Sequence, residues 1–317
     1  KGTTFTITLP RDGIEAAAGR KPPRPGTAAT VAAPEDVQYI GPFIGREPEL
    51  DALERRVSAG VASAVVFVGP AGQGKSRLLA EFRHALRHRS AAVQIWIGSG
   101  ESIRADSPYA VIGSIIRNLA SINEGDGPAA KAEKVRRATR QVVGEDEVDR
   151  VSEFLGELSL VEASTVASAQ LQAARDNASL MADQRQRAWL DFVRAAASKQ
   201  PLVICIDDLH WVDRPSASLL QTTLASAPEL GILIVGAARP EIRESHPDLF
   251  GDLMALEPLE DSDGEALVAR LLPHASTAVH EGIATRSAGN PLMLEQLVRA
   301  ETSGRSTAGQ TAIAIVE

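Results

Sequence analysis

The chain has 317 residues, 44% of them apolar, and a formal net charge of −8. That length and apolar share support one large or two modest folded domains with a full core, and a net negative chain is a poor match for a protein whose whole surface grips nucleic acid. No apolar run approaches the ~20 residues that span a bilayer, no charged-then-apolar leader opens the chain, and a single cysteine, Cys205, excludes an internal disulfide framework and fits a reducing compartment, so a cytoplasmic protein is expected. The run from Lys1 to Glu317 reads as a piece of something larger.

Residues 3–9 alternate polar and apolar like a half-buried strand, and residues 10–39, rich in Pro, Gly and Ala without periodicity, read as a linker. After Glu47 a helical period sets Leu50, Leu53 and Val57 on one face and closes at Gly60. A strand follows at about 62–68, and a second runs from Ala92 to Ile97. Ser107-Pro108 predicts a helix start, a capping hydroxyl followed by proline in the first turn, with Val111, Ile112, Ile115, Ile116 and Leu119 as its apolar face. Residues 121–182 are polar, alanine-rich and helix-favouring without strand signals, as expected of a helical insertion. The basic stretch Lys131, Lys134, Arg136, Arg137 and Arg140 within it reads as a solvated helix face, so direct nucleic-acid binding by this segment is not expected. A helix through Trp189, Leu190 and Val193 leads to Pro201.

The most apolar strand is Leu202 to Ile206, a continuous run that fits a central parallel strand covered on both faces, with Cys205 as a buried structural thiol. A helix at about 214–226 buries Leu219, Leu220 and Leu224; strands at Ile232–Gly236 and near Met254–Leu256 complete the sheet. Leu267, Val268, Leu271 and Leu272 mark a helix, and residues 278–287 and 291–302 two more, separated by Gly289-Asn290-Pro291. Strands alternating with helices, then helices alone, give an α/β chain: a parallel-sheet core over residues 40–258 and a small helical domain over 259–317.

The chemistry concentrates at Gly69-Pro70-Ala71-Gly72-Gln73-Gly74-Lys75-Ser76, which fits G-x-x-x-x-G-K-[ST] between a strand and a helix whose apolar face is Leu78, Leu79, Phe82 and Leu86. In such a phosphate-binding loop the glycines let consecutive amides turn inward around an anion, and the following helix aims its positive end at the same place. Lys75 adds a point charge for the outer phosphates, the Ser76 hydroxyl is placed to ligate magnesium, and Arg77 continues the binding set. Ligands of a parallel sheet bind outside the carboxyl ends of its strands. Asp207 therefore emerges where it can hold magnesium through water, and Asp208 where it can orient or deprotonate an attacking water. Arg239 follows another strand and can sense a γ-phosphate or stabilise charge in transfer; on spacing alone a surface arginine before a proline turn fits equally.

Phe43-Ile44-Gly45-Arg46-Glu47, the phosphate loop, Ile206-Asp207-Asp208-Leu209-His210-Trp211, Ala238-Arg239-Pro240 and Gly289-Asn290-Pro291-Leu292 occur in that order. Together they resemble the signal-transduction ATPases with numerous domains (STAND), in particular the AAA-like module of large bacterial LuxR-type transcriptional regulators and of cyclase- or kinase-linked regulators. The resemblance spans about residues 40–302 and implies ATP or ADP with Mg2+ as ligands, a P-loop NTPase core of the ASCE/AAA-like kind, and effector domains or partner proteins outside the segment. It further implies that Ile44, Gly45 and Arg46 line the adenine and ribose side, that Pro291 packs on the base and that Arg239 takes a phosphate-sensing position. Residues 2–10 also resemble the closing strand of histidine-kinase-type ATP-binding domains. Four functions are compatible with these residues: a slowly hydrolysing switch, open to nucleotide-dependent self-association; a ring-forming remodelling or DNA-loading ATPase; a small-molecule phosphotransferase; and a nucleotide-binding scaffold without turnover.

Overall fold

The computed structural model describes residues 41–89, 93–161, 167–246 and 251–303. The strand expected at 3–9, the linker at 10–39 and the chain beyond 303 lie outside them. In chain order the elements are α1 (Glu47–Ala59), β1 (Ser63–Val68), α2 (Lys75–Arg89), β2 (Gln94–Ser99), α3 (Ala110–Leu119), α4 (Pro128–Arg140), α5 (Val148–Ser159), α6 (Ala169–Arg175) and α7 (Ala178–Ala197). There follow β3 (Leu202–Asp207), α8 (Arg214–Ser226), β4 (Ile232–Ala238), the single-turn α9 (Ile242–Ser245), β5 (Asp252–Ala255), α10 (Asp261–Leu271), α11 (Thr277–Ser287) and α12 (Pro291–Thr302). Among the described residues no helix is long and apolar enough to cross a membrane.

The five strands form one parallel sheet in the order β2-β3-β4-β1-β5. Side chains alternate between its faces, as the pleat requires. Val65, Phe67, Val203, Cys205, Leu233 and Val235 pack beneath Leu53 of α1 and Leu78, Leu79, Phe82 and Leu86 of α2. Val66, Val68, Ile204, Ile206 and Ile234 face the other way, toward α3, α7 and α8. Cover on both faces is why the inner strands β1, β3 and β4 read as nearly unbroken apolar runs.

Residues 121–182 do not stand apart from this second layer. Val135, Val151, Phe154, Leu158 and Leu171 belong to the same core as Trp96 and Trp189. Trp96 stacks on Phe192 at 5.0 Å and meets Trp189 edge-on at 6.0 Å, while the Trp189 indole N–H donates to Thr223 Oγ1 at 2.9 Å. Residue 182 falls inside α7, because the buried stripe from Met181 through Ala188, Trp189, Phe192 and Val193 runs on uninterrupted. On α4 three of the five basic residues pair with nearby acids: Lys134 with Asp126 at 2.5 Å, Arg136 with Asp149 at 2.5 Å and Arg140 with Glu145 at 3.3 Å. A third cluster, Leu259, Leu267, Val268, Ile283, Leu294 and Val298, is the core of the helical unit α10–α12.

One expected boundary is corrected. Helix α3 begins at Ala110, not at Ser107-Pro108, because Tyr109 takes a left-handed conformation (φ 63°) that a helix cannot continue through. Its first amides are capped from far away. Asp213, 4% exposed, accepts from Tyr109 N at 2.7 Å and Ser216 N at 2.9 Å through Oδ1, and from Val111 N at 3.3 Å through Oδ2. One carboxylate thus caps both α3 and α8. Asp213→Ala strands three amides in the interior and is expected to cost about 3 kcal/mol in urea unfolding; Asp213→Asn, which retains Oδ1, costs less. Equal midpoints for parent and Asp213→Ala would contradict the double cap.

Candidate functional site

The register decides which residues meet at the carboxyl edge of the sheet. Val68 of β1 pairs with Ala238 of β4, so Gly69 leaves the sheet beside Arg239, and Gly69 N donates to Ala238 O at 3.2 Å. On the other side of β4, Ile206 pairs with Gly236, so Asp207 ends β3 near the same level. Two strand spacings, about 10 Å, separate the phosphate loop from the Asp207-Asp208 pair, with Arg239 on the strand between them. Gly236 makes this edge possible: a Cβ there would come within 2.5 Å of Leu209 Cδ2, so the turn Leu209–Trp211 folds back over β4.

The loop at 69–76 is held in a defined shape. Gly72 (φ 83°) and Gly74 (φ 86°) occupy left-handed conformations that side chains disfavour. The Lys75 ammonium donates to Gly69 O and Pro70 O, each at 2.7 Å. Asn290 Nδ2 donates to Ala71 O at 3.1 Å, Leu292 N to Gly72 O at 3.2 Å, and Arg46 Nη2 to Gln73 O at 3.4 Å. The carbonyls of residues 69–73 are all engaged, whereas among the described residues no protein acceptor takes a bond from the amides of residues 71–76. A loop with its acceptors paired and its donors open is a receptor for an anion. The donor set for a metal is sparse. Ser76 lies in the first turn of α2 and Asp207 ends β3, and among the described residues no three His, Cys, Asp or Glu side chains gather to hold an ion alone. Magnesium needs no such cage, since it takes one or two protein oxygens and completes its shell with phosphate and water. The residues present fit a nucleotide and its magnesium.

Charge across the edge is coupled. Burial lowers the Lys75 pKa, with Asp207 raising it and Arg239 lowering it further down the order of effect. Asp208 sits in a left-handed conformation (φ 48°), a strained geometry for a non-glycine residue. Its side chain is 57% exposed; partial burial of the carboxyl, then the Asp207 charge beside it, raises its pKa. The His210 side chain is only 5% exposed, with Nδ1 3.9 Å from Asp208 Oδ1 and, among the described residues, no hydrogen-bond partner on either ring nitrogen. Burial, ahead of the opposing pull of Asp208, lowers its pKa. Arg239 itself is exposed at the end of β4.

The segment before α1 runs between the loop and the helical unit. Ile44 packs against the helical core, and Gly45 lies so close to Asp263 that a Cβ would overlap its carboxylate. Arg46, 6% exposed, donates to Glu257 O at 2.7 Å and pairs with Glu49 at 3.3 Å, so its guanidinium braces the outer side of the loop. Arg77 donates to Gly41 O at 2.5 Å, lies over the Phe43 ring at 5.9 Å and is 3.9 Å from Glu295 of α12. Pro291 covers Gly74, where a Cβ would lie 3.8 Å from its Cγ. The contacts of Asn290 were not foreseen. Its helix-capping signal is plain in the sequence, but nothing there shows that the amide's other end reaches the loop.

The AAA ATPase domain family model matches residues 42–235, well over half the chain. A curated relative, an uncharacterized protein of Rhizobium meliloti (strain 1021), is 26% identical over 269 residues, covering 81% of this chain and 25% of its own; the chain spans about a quarter of that relative. Among solved structures, a RuvB variant of Thermotoga maritima aligns with a TM-score of 0.43 and 16% identity over 82% of this chain and 63% of its own. A STAND protein with a tetratricopeptide repeat sensor from Pyrococcus horikoshii aligns with a TM-score of 0.41 and 16% identity over 91% of this chain and 33% of its own.

The packing at Gly72 generates a prediction independent of any ligand. A Cβ there would stand 2.6 Å from Asn290 Oδ1 on a left-handed backbone, so Gly72→Ala is expected to destabilise the chain by about 2 kcal/mol. Gly125→Ala, where nothing lies within 4 Å, serves as the neutral control. Calorimetric unfolding of both checks this, and coincident curves would contradict the close packing.

Proposed function

The chain belongs to the AAA ATPase domain family, and we propose that it is an ATP-binding, slowly hydrolysing module that works as a nucleotide-dependent switch within a larger cytoplasmic regulator of signalling or transcription. The observation that carries this reading is the loop of residues 69–76, its donors open and its acceptors paired, on the same edge as Lys75, Arg239 and the Asp207-Asp208 pair. In it, the amides from Ala71 to Ser76 and the Lys75 ammonium bind the phosphate chain, and Arg77 holds the start of α2 to Gly41 and α12. Ser76 and Asp207 would hold magnesium, which would supply positive charge against the phosphate oxygens. The purine lies on the side of Ile44, Gly45 and Arg46, with Pro291 against it.

Asp208 orients the attacking water and takes its proton. Its raised pKa makes it a better proton acceptor than an ordinary aspartate, and a positioned base of this kind contributes roughly 10²- to 10⁴-fold. Arg239, between the loop and the aspartates, meets the charge on the transferred phosphoryl group. Because the segment at 43–46 and α12 both touch the loop, ATP and ADP can favour different packings of the helical unit, as a switch requires.

Lys75→Ala is expected to weaken ADP binding by about 100-fold or more in titration calorimetry, since it removes a charge-assisted partner from a half-buried site; equal affinity in parent and variant would overturn the site. Asp208→Asn is expected to keep ADP affinity within a few-fold while phosphate release falls by about 100-fold or more. Undiminished release would remove Asp208 from the mechanism. Turnover that rises sharply with protein concentration would favour a ring-forming remodelling ATPase over the switch.

A further inference from the structure

We propose that Asn290 is a positioning residue of the phosphate loop: from the helical unit, and without touching the nucleotide, it sets the peptide plane whose N–H faces the phosphate. The inference rests on the nucleotide reading above and deepens it. In a trans peptide the carbonyl of one residue and the amide of the next point in opposite directions from one rigid plane. A donor that holds a loop carbonyl outward therefore holds the following N–H inward. Asn290 Nδ2 holds Ala71 O at 3.1 Å and so aims Gly72 N–H; Leu292 N holds Gly72 O at 3.2 Å and so aims Gln73 N–H. Both planes adjoin Gly72, whose backbone is free to flip, so bonds from outside decide the orientation.

The amide of Asn290 is used at both ends. Its Oδ1 accepts from Met293 N at 3.1 Å and caps α12. A carbonyl on one side and an N–H on the other fix which end is which. Capping alone would be served as well by serine or aspartate; only the donor end requires asparagine. The arrangement ties the helical unit to the anion site, and by linkage a phosphate held by those amides tightens the docking of α12 as much as α12 favours the phosphate.

Asn290→Ser and Asn290→Asp separate the two roles, because both retain a capping oxygen and lose the amide N–H at Nδ2 that reaches Ala71 O. Affinities of the full chain for ADP, inorganic pyrophosphate and adenosine are compared with those of the parent and of Lys75→Ala, and the β-phosphate of bound ADP is followed by phosphorus NMR. Loss of one hydrogen bond's worth of alignment is expected to weaken ADP and pyrophosphate by about five- to tenfold in both variants. Adenosine affinity and the ligand-free unfolding temperature stay near the parent values, and the β-phosphate resonance moves. Unchanged ADP affinity and resonance in both variants, beside a Lys75→Ala that binds weakly, would overturn this inference and leave the nucleotide site standing. Parallel loss of adenosine and pyrophosphate would also overturn it, since that is the signature of general loosening. A Lys75→Ala that binds like the parent would instead overturn the site itself.

Discussion

Bonds to the carbonyls of residues 69–73 govern the rest of the candidate site. Each is held by a donor with its own structural anchor: Lys75 from the first turn of α2, Asn290 and Leu292 from the start of α12, and Arg46 from the segment before α1. A loop containing three glycines has little conformational preference of its own. Its shape is imposed by these partners, which occupy its acceptors while, among the described residues, the amides of 71–76 have no protein acceptor. Amides without protein partners are left to water or to an anion.

The sheet supplies the second constraint. Parallel pairing of β1 with β4 and of β4 with β3 brings three strand ends to one level, and each ends in a different chemistry: amides and an ammonium, a guanidinium, and two carboxylates. About 10 Å, two strand spacings, separates the outer two. The turn that carries Asp208 and His210 depends on one missing side chain, at Gly236, and on one left-handed residue, Asp208 itself. Strain and absent side chains at the functional edge contrast with the dense apolar packing on both faces below it, which is what holds the edge in place.

Much of this was legible because its signals are local. The run Leu202–Ile206 announces a strand covered on both faces, the glycine spacing announces the loop, and Asn290-Pro291 sets the start of α12, where the structure begins that helix at Pro291. What escaped is tertiary. Helix α3 starts late because Asp213, about a hundred residues further on, caps it. Periodicity cannot say that β4 lies between β1 and β3, nor that the helices at 121–182 join the main core through Phe154, Leu158 and Leu171. The Arg46 guanidinium points at carbonyls of the chain itself, a choice that only the packed structure reveals.

Amide hydrogen exchange over the peptide spanning residues 69–77 tests the central claim most directly, because it reads the loop's N–H groups themselves. With magnesium and ADP added, exchange there is expected to slow markedly, while a peptide from the remote α4 face keeps its rate. Identical exchange in that loop with and without nucleotide, under conditions where the protein remains folded, would contradict the claim that its open donors receive phosphate.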